Sequence, residues 1–306
     1  MERRIEYRLQ PEDAGTYRTA LDVLKKELRL TVRQIRTSKY LPGGILLNGE
    51  RITVRHPVVP GDALSVLLEE KEPPSALQVW HDESIVVPID ILWEDEDVVI
   101  LNKPAGIPVH PSHGHYADTM ANALCGFYQK QGLTLVPRSV GRLDKDTSGA
   151  ILFAKNRTAA SRLSGQGTMH KTYLALVSGL VGRDTFTIDL PLKKETDVLN
   201  RMIVSPDGKT AVTHGRVLER FTGRDSTLLR LTLETGRTHQ IRVHMAAAGH
   251  PLLGDPIYNP RSQKENPDDP KGTTRALLHC ESIQFMHPFT NTSVTVTAPV
   301  PEDFRP

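Results

Sequence analysis

Between Val98 and Ala298 the chain runs through short β-rich segments separated by turns, and a single helical pattern falls among the strands of its C-terminal part. The segments are Val98 to Asn102, Ala150 to Lys155, Thr172 to Val177, Leu228 to Leu233 and Ser293 to Ala298. The helical pattern is His239 to Ala248, closed by Gly249 at a favoured C′ position. A doubly wound sheet needs a helix between each pair of strands, so this distribution predicts an α+β fold.

The first 70 residues read differently. Leu21, Leu24 and Leu28 recur at spacings of three and four, the stripe of a short amphipathic helix, and residues 32–40 continue as a second helix. Asn48-Gly49 then marks a tight turn between two apolar runs, and Pro60-Gly61-Asp62 precedes a strand. This predicts a compact module over 1–70, a Pro-bearing linker over 71–88 and a second domain over 89–306.

Whole-chain charge is only +2, so composition does not announce a nucleic-acid binder. Its distribution does more. From Thr16 to His56 nine basic residues, among them Arg29, Arg33, Arg36 and Lys39, face three acids. The opening residues hold no apolar leader, and no run approaches the roughly 18 apolar residues of a membrane span, which predicts a cytoplasmic protein. Cys125 and Cys280 lack metal-ligand spacing and are expected to be buried thiols rather than a disulfide.

Three stretches carry candidate chemistry. Asp144 lies in a polar turn between Gly141 and Gly149, directly before a strand that reads as buried, with Arg142 and Lys145 beside it to favour an ionised carboxylate. By local pattern alone Asp144 and Asp146 read better as turn formers than as catalytic groups. Arg242 lies one turn beyond His239 on its helix, placed to meet a carboxylate from elsewhere or to form a solvated face. Tyr173 opens an apolar strand, as core or as a ring offered to a base.

The run RLDKDTSG (142–149) resembles the signature of the RluA-type pseudouridine synthases. The blocks LWEDEDVVILNKPAGIPVHP (92–111), KTY (171–173), TGRTHQIRVH (235–244), GHPLLGDPIY (249–258) and LHCESIQFMHP (278–288) resemble the rest of the family pattern, in order. The resemblance implies a catalytic domain built on a mixed, mainly antiparallel sheet, and an RNA uridine isomerase that needs neither cofactor nor metal. It assigns the catalytic carboxylate to Asp144 and the basic residue that pairs with it to Arg242. The stacking ring falls on Tyr173, and the arginine that enters the space left by the extruded base falls on Arg142. The implied partner is ribosomal or transfer RNA, met by a monomer. A catalytically dead RNA-binding factor on the same fold is the alternative, against which the intact Asp144, Arg242 and Tyr173 stand.

LKKELRLTVRQIR (24–36), GILLNGE (44–50) and PGDAL (60–64) resemble an S4-type RNA-binding domain, a small α/β module, with Arg29, Arg33, Arg36 and Lys39 as its phosphate contacts. Two departures stand out. Gly141 occupies a position where the family commonly has His, and the loop over 261–272 is longer than the usual connection. His110, His113 and His115 lie in a Pro- and Gly-bearing loop without a matched fourth ligand, so no metal is expected there.

Overall fold

The computed structural model describes residues 2–69, 87–112, 114–133, 135–165, 169–196, 201–259 and 275–304. It divides into two compact units, Met1–Ala76 and Leu77–Pro306. Most of the expected linker and all of the 261–272 loop lie outside the described residues.

The N-terminal unit contains β1 (Glu2–Arg8), α1 (Ala20–Lys26), α2 (Val32–Tyr40), β2 (Ile45–Leu47), β3 (Glu50–Arg51) and β4 (Ala63–Glu69). Both helices fall where the leucine spacing and the basic run place them. Thr31 begins α2, its hydroxyl accepting from the Gln34 amide at 3.2 Å while its own amide donates to the Gln34 side chain at 2.8 Å. The Asn48-Gly49 turn has φ of 52° and 87°, the left-handed pair a tight hairpin requires. Strand order is β1-β4-β2-β3, all antiparallel. Val23, Leu24, Ile35, Ile45, Leu64 and Val66 are buried between sheet and helices. The strand β1 has no counterpart in the sequence argument, because its charged residues hide the alternation of Ile5 and Tyr7 along the face packed on this core.

The second unit is built on one ten-stranded sheet with the path β10-β13-β14-β9-β15-β8-β6-β5. These strands are β5 (Ile91–Glu94), β6 (Val98–Lys103), β8 (Ser148–Ala154), β9 (His170–Ser178), β10 (Thr185–Asp189), β13 (Val212–Phe221), β14 (Ser226–Leu233) and β15 (Leu278–Met286). Two more, β7 (Arg138–Val140) and β16 (Ser293–Thr297), pair with β8 and β15. Every pairing is antiparallel except β15 with β8. A separate hairpin joins β11 (Leu192–Lys194) to β12 (Met202–Val204). The helices are α3 (Met120–Lys130), α4 (Arg157–Gly165) and α5 (Gln240–Ala247). The fold is α+β on a mixed, mainly antiparallel sheet, and all five expected strands are present.

The strand β8 is buried at every position, the mark of a strand covered on both faces. Its one parallel pairing, with β15, depends on Gly149. A Cβ there would sit 2.2 Å from the Cys280 carbonyl oxygen, so any larger residue would separate the two backbones. The helix α5 ends as its sequence indicates, with Gly249 at φ 84°. Both cysteines are buried free thiols. Among the described residues no helix is long and apolar enough to cross a membrane.

Candidate active site

The turn from β7 to β8 carries Asp144 and is held by its backbone. The Lys145 carbonyl accepts from the Gly106 amide at 2.9 Å and from Lys103 Nζ at 2.8 Å. Lys103 also donates to the carbonyls of Pro104 and Ile107, each at 2.7 Å. Arg275 Nη1 donates to the Asp146 carbonyl at 3.1 Å, and the Thr147 amide closes the turn on the Asp144 carbonyl at 3.1 Å. Lys103 is fully buried, and burial pulls its ammonium down to about 7, against the opposing pull of Asp146 and Asp144. A rigid turn at the mouth of a buried strand is what the sequence predicted for Asp144.

The Asp144 side chain differs from its frame: among the described residues none hydrogen-bonds its carboxylate. Its charge is nonetheless felt by Lys103, Tyr173, His239, Arg242 and Tyr258. Asp144 borders two cavities. One, of about 350 Å³, is lined by Arg142, Lys171, Tyr173, Leu233, His239 and Leu278 among others, a volume within the usual range of small-molecule sites. The other, of about 480 Å³, brings Arg142, Asp144, Lys145, Lys194, His239 and Arg242 together.

Tyr173 is 7% exposed and lines the first cavity from β9. Burial, then the neighbouring Cys280 and Asp144, push its phenol well above the ordinary value, so it remains protonated at neutral pH. Arg142 is exposed at the rim, where its Nη2 donates to Thr238 Oγ1 at 3.1 Å. Its carbonyl accepts from Lys171 Nζ at 3.3 Å. Gly141 has φ 76°, and a Cβ there would lie 3.1 Å from Met169 Cε and 3.2 Å from Lys171 Nζ. Lys171 thus fills the space beside residue 141.

Arg242 requires a correction. Its Nε and Nη2 donate to Asp255 at 2.8 and 2.7 Å, a buried fork-to-fork ion pair, so its hydrogen-bond partner is Asp255 and not Asp144. The reason is local: Asp255 stands just after α5 and also accepts from the amides of Ile257 and Tyr258 at 2.9 and 3.1 Å. Burial alone would lower the guanidinium, but Asp255, with Asp144 more weakly, raises it. Burial alone would raise Asp255, which Arg242 and the two amides bring below the usual carboxylate range. Arg242 is a fixed cation near Asp144, held by another acid.

Sequence reasoning also missed Tyr258 and His239. The Arg242 guanidinium lies 5.2 Å from the Tyr258 ring centroid. The Tyr258 oxygen accepts from the Met202 amide at 2.9 Å and lies 3.0 Å from His239 Nδ1. His239 begins α5 at φ 54°, a left-handed conformation rare for a residue with a side chain, and burial lowers its imidazole. Lys145 Nζ lies 3.4 Å from His115 Nε2. Arg29, Arg33, Arg36 and Lys39 belong to the N-terminal unit and line neither cavity.

As for metal ligands, His115 is engaged by Asp118 and His113 lies outside the described residues. Asp95, Asp97 and His287 bring ligand atoms within 4.8 Å of one another, but each already has a partner. Asp95 Oδ1 accepts from the Asp97 and Val98 amides, Asp97 from Asn156, and His287 Nδ1 from the Phe289 and Thr290 amides.

The sequence pattern of the family described as RNA pseudouridylate synthase matches residues 97–247, which include Asp144, Tyr173 and Arg242. A Bacillus subtilis protein named Uncharacterized RNA pseudouridine synthase YlyB is 41% identical over 85% of this chain and 83% of its own. This chain belongs to the RNA pseudouridine synthase family. Ribosomal large subunit pseudouridine synthase D of Vibrio cholerae is 40% identical over 86% of this chain and 82% of its own, which places the chain among the RluA/RluD-like members. Human RNA Pseudouridylate Synthase Domain Containing 1 superposes with a TM-score of 0.56 at 26% identity, covering 75% of this chain and 86% of that one. The pseudouridine synthase is therefore an isomerase that acts on RNA.

Proposed function

We propose that this pseudouridine synthase extrudes a uridine from ribosomal RNA of the large subunit into the cleft beside Tyr173 and isomerises it with Asp144. The observation that carries the reading is the contrast between two acids. Asp255 is locked by Arg242 and two amides, whereas Asp144 sits on a braced turn, between two cavities, with its carboxylate unengaged among the described residues.

The reaction breaks the N1–C1′ bond and forms C5–C1′; the C5 proton is lost and N1 gains one, so product and substrate are isomers. A carboxylate can initiate it by adding to the base, by attacking C1′ or by taking a sugar proton. Extruding the base costs a few kcal/mol. Stacking on an aromatic ring returns about 1 to 3 kcal/mol, which fits a protonated Tyr173 at the cavity wall. Arg142 at the rim fits the space the base vacates. Arg242, fixed by Asp255, stands as a cation at the cavity that Asp144 also lines, without drawing Asp144 into a salt bridge.

The N-terminal unit reads as an S4-like RNA-binding domain, joined by a linker to the catalytic domain. Its exposed Arg29, Arg33, Arg36 and Lys39 suit phosphate contacts. The enzyme works as a cytoplasmic monomer in this reading. Release of tritium from ribosomal RNA labelled at uridine C5 tests it: wild type liberates label, Asp144→Ala does not, and label release from transfer RNA alone would reassign the substrate.

A further inference from the structure

The N-terminal unit holds three aromatic residues other than histidine among its described positions, and their environments differ. Tyr7 donates its hydroxyl to Asp13 at 2.8 Å, and Tyr17 is buried with its hydroxyl on Glu27. Tyr40 is 72% exposed. A single exposed aromatic is ordinary on a protein surface, so its surroundings must decide whether it means anything.

On α2 the positions 33, 36, 37 and 40 follow the i, i+3, i+4, i+7 spacing of one helical stripe. All four are exposed, while Ile35 and Ser38 are buried on the far side. Arg33, Arg36 and Tyr40 therefore share one outward stripe, and α2 contains no acidic residue. Among the described residues neither arginine has an acidic partner. Lys39 Nζ lies over the Tyr40 ring, 5.6 Å from its centroid, which sets a cation on one face while the residue stays 72% exposed. Both ends of the helix are fixed, by the Thr31 cap and by Arg51 Nη2 donating to the Lys39 carbonyl at 3.2 Å.

Phosphate binding needs only the cations. An exposed ring on a capped helix, among arginines without acidic partners, is the arrangement that receives single-stranded nucleic acid, where bases stack on aromatic faces while cations follow the backbone. Base pairs in a duplex have no free face except at the ends.

We propose that Tyr40 is a stacking platform for an unpaired nucleobase, so that the N-terminal unit selects single-stranded or looped RNA rather than helical RNA. This rests on the reading of that unit as an RNA-binding domain, and it does not depend on Asp144.

The test is binding of the full-length protein to an unstructured 12-nucleotide RNA and to a blunt RNA duplex of equal length, across a salt series. Tyr40→Ala should weaken the single strand by about 5-fold or more, the lower end of one stacked base. Because no charge is removed, the salt slope should be unchanged and the duplex unaffected; Tyr40→Phe should restore affinity. Tyr40→Trp should show emission quenched by the single strand and not by the duplex, after subtraction of the wild-type signal. Unchanged affinity in Tyr40→Ala would hand this face to a protein partner and overturn the proposal, as would an equal loss on both RNAs. An Asp144→Ala protein that releases as much tritium as wild type would overturn the catalytic reading and leave the Tyr40 comparison untouched, so the two fail separately.

Discussion

Asp144 and Asp255 are both acids near Arg242, yet they occupy opposite situations. The buried Arg242–Asp255 pair is 3% and 0% exposed on its two sides, and removing one partner leaves the other charge uncompensated. Asp255→Asn should therefore cost about 3 to 5 kcal/mol of stability in urea titration, with activity falling as Arg242 loses its position. At Gly141 the strain is backbone: Gly141→Ala puts a Cβ at φ 76° against Met169 and Lys171. It should cost about 1 kcal/mol and raise KM for RNA more than it lowers kcat, since Lys171 would leave the Arg142 carbonyl. Of the site, sequence made Asp144, Tyr173, Arg142 and Arg242 legible through the family blocks. The partner of Arg242 was not, because a helix pattern gives the face of a cation but not which acid the chain returns to it. Asp255 was nonetheless visible inside the block at 249–258. Lys103 was not legible either: Val98 to Leu101 are buried on both faces of β6, so no alternation in the sequence marks which face Lys103 takes.

At the scale of elements, the pairing of β8 with β15 sets where the Asp144 turn ends. His279 on β15 lies in register with Ser148 on β8, and its Nδ1 is 2.9 Å from Ser148 Oγ. Burial lowers its imidazole from 6.5 to about 4. The unfolded chain then binds more protons than the folded one between those two values, so stability is present above about 6.5 and is lost as pH falls toward 4. The loss amounts to about 3 kcal/mol at most. His279→Gln should show a flatter stability profile over that window in thermal melts; parallel profiles would remove this histidine from the account. The strands themselves were legible because each is a short apolar run between turns. The strand β1 was not, since its partner β4 lies more than fifty residues away and supplies the apolar face that its own charged sequence does not advertise.

For the whole molecule, the near-neutral net charge conceals an uneven distribution: the basic run from Arg18 to Arg55 lies in the N-terminal unit, and the residues of the candidate site lie in the other. If the N-terminal arginines meet phosphates, single-strand affinity should fall with salt, and Arg33→Ala with Arg36→Ala should reduce the log–log slope by about 1.4. An unchanged slope would place the RNA elsewhere. The central claim concerns one residue and one reaction. It is tested most directly by tritium release from C5-labelled ribosomal RNA with wild-type and Asp144→Asn protein, both shown by circular dichroism to be folded. The account predicts full release by wild type and none above background by Asp144→Asn with RNA affinity retained. Equal release by the two proteins would contradict it.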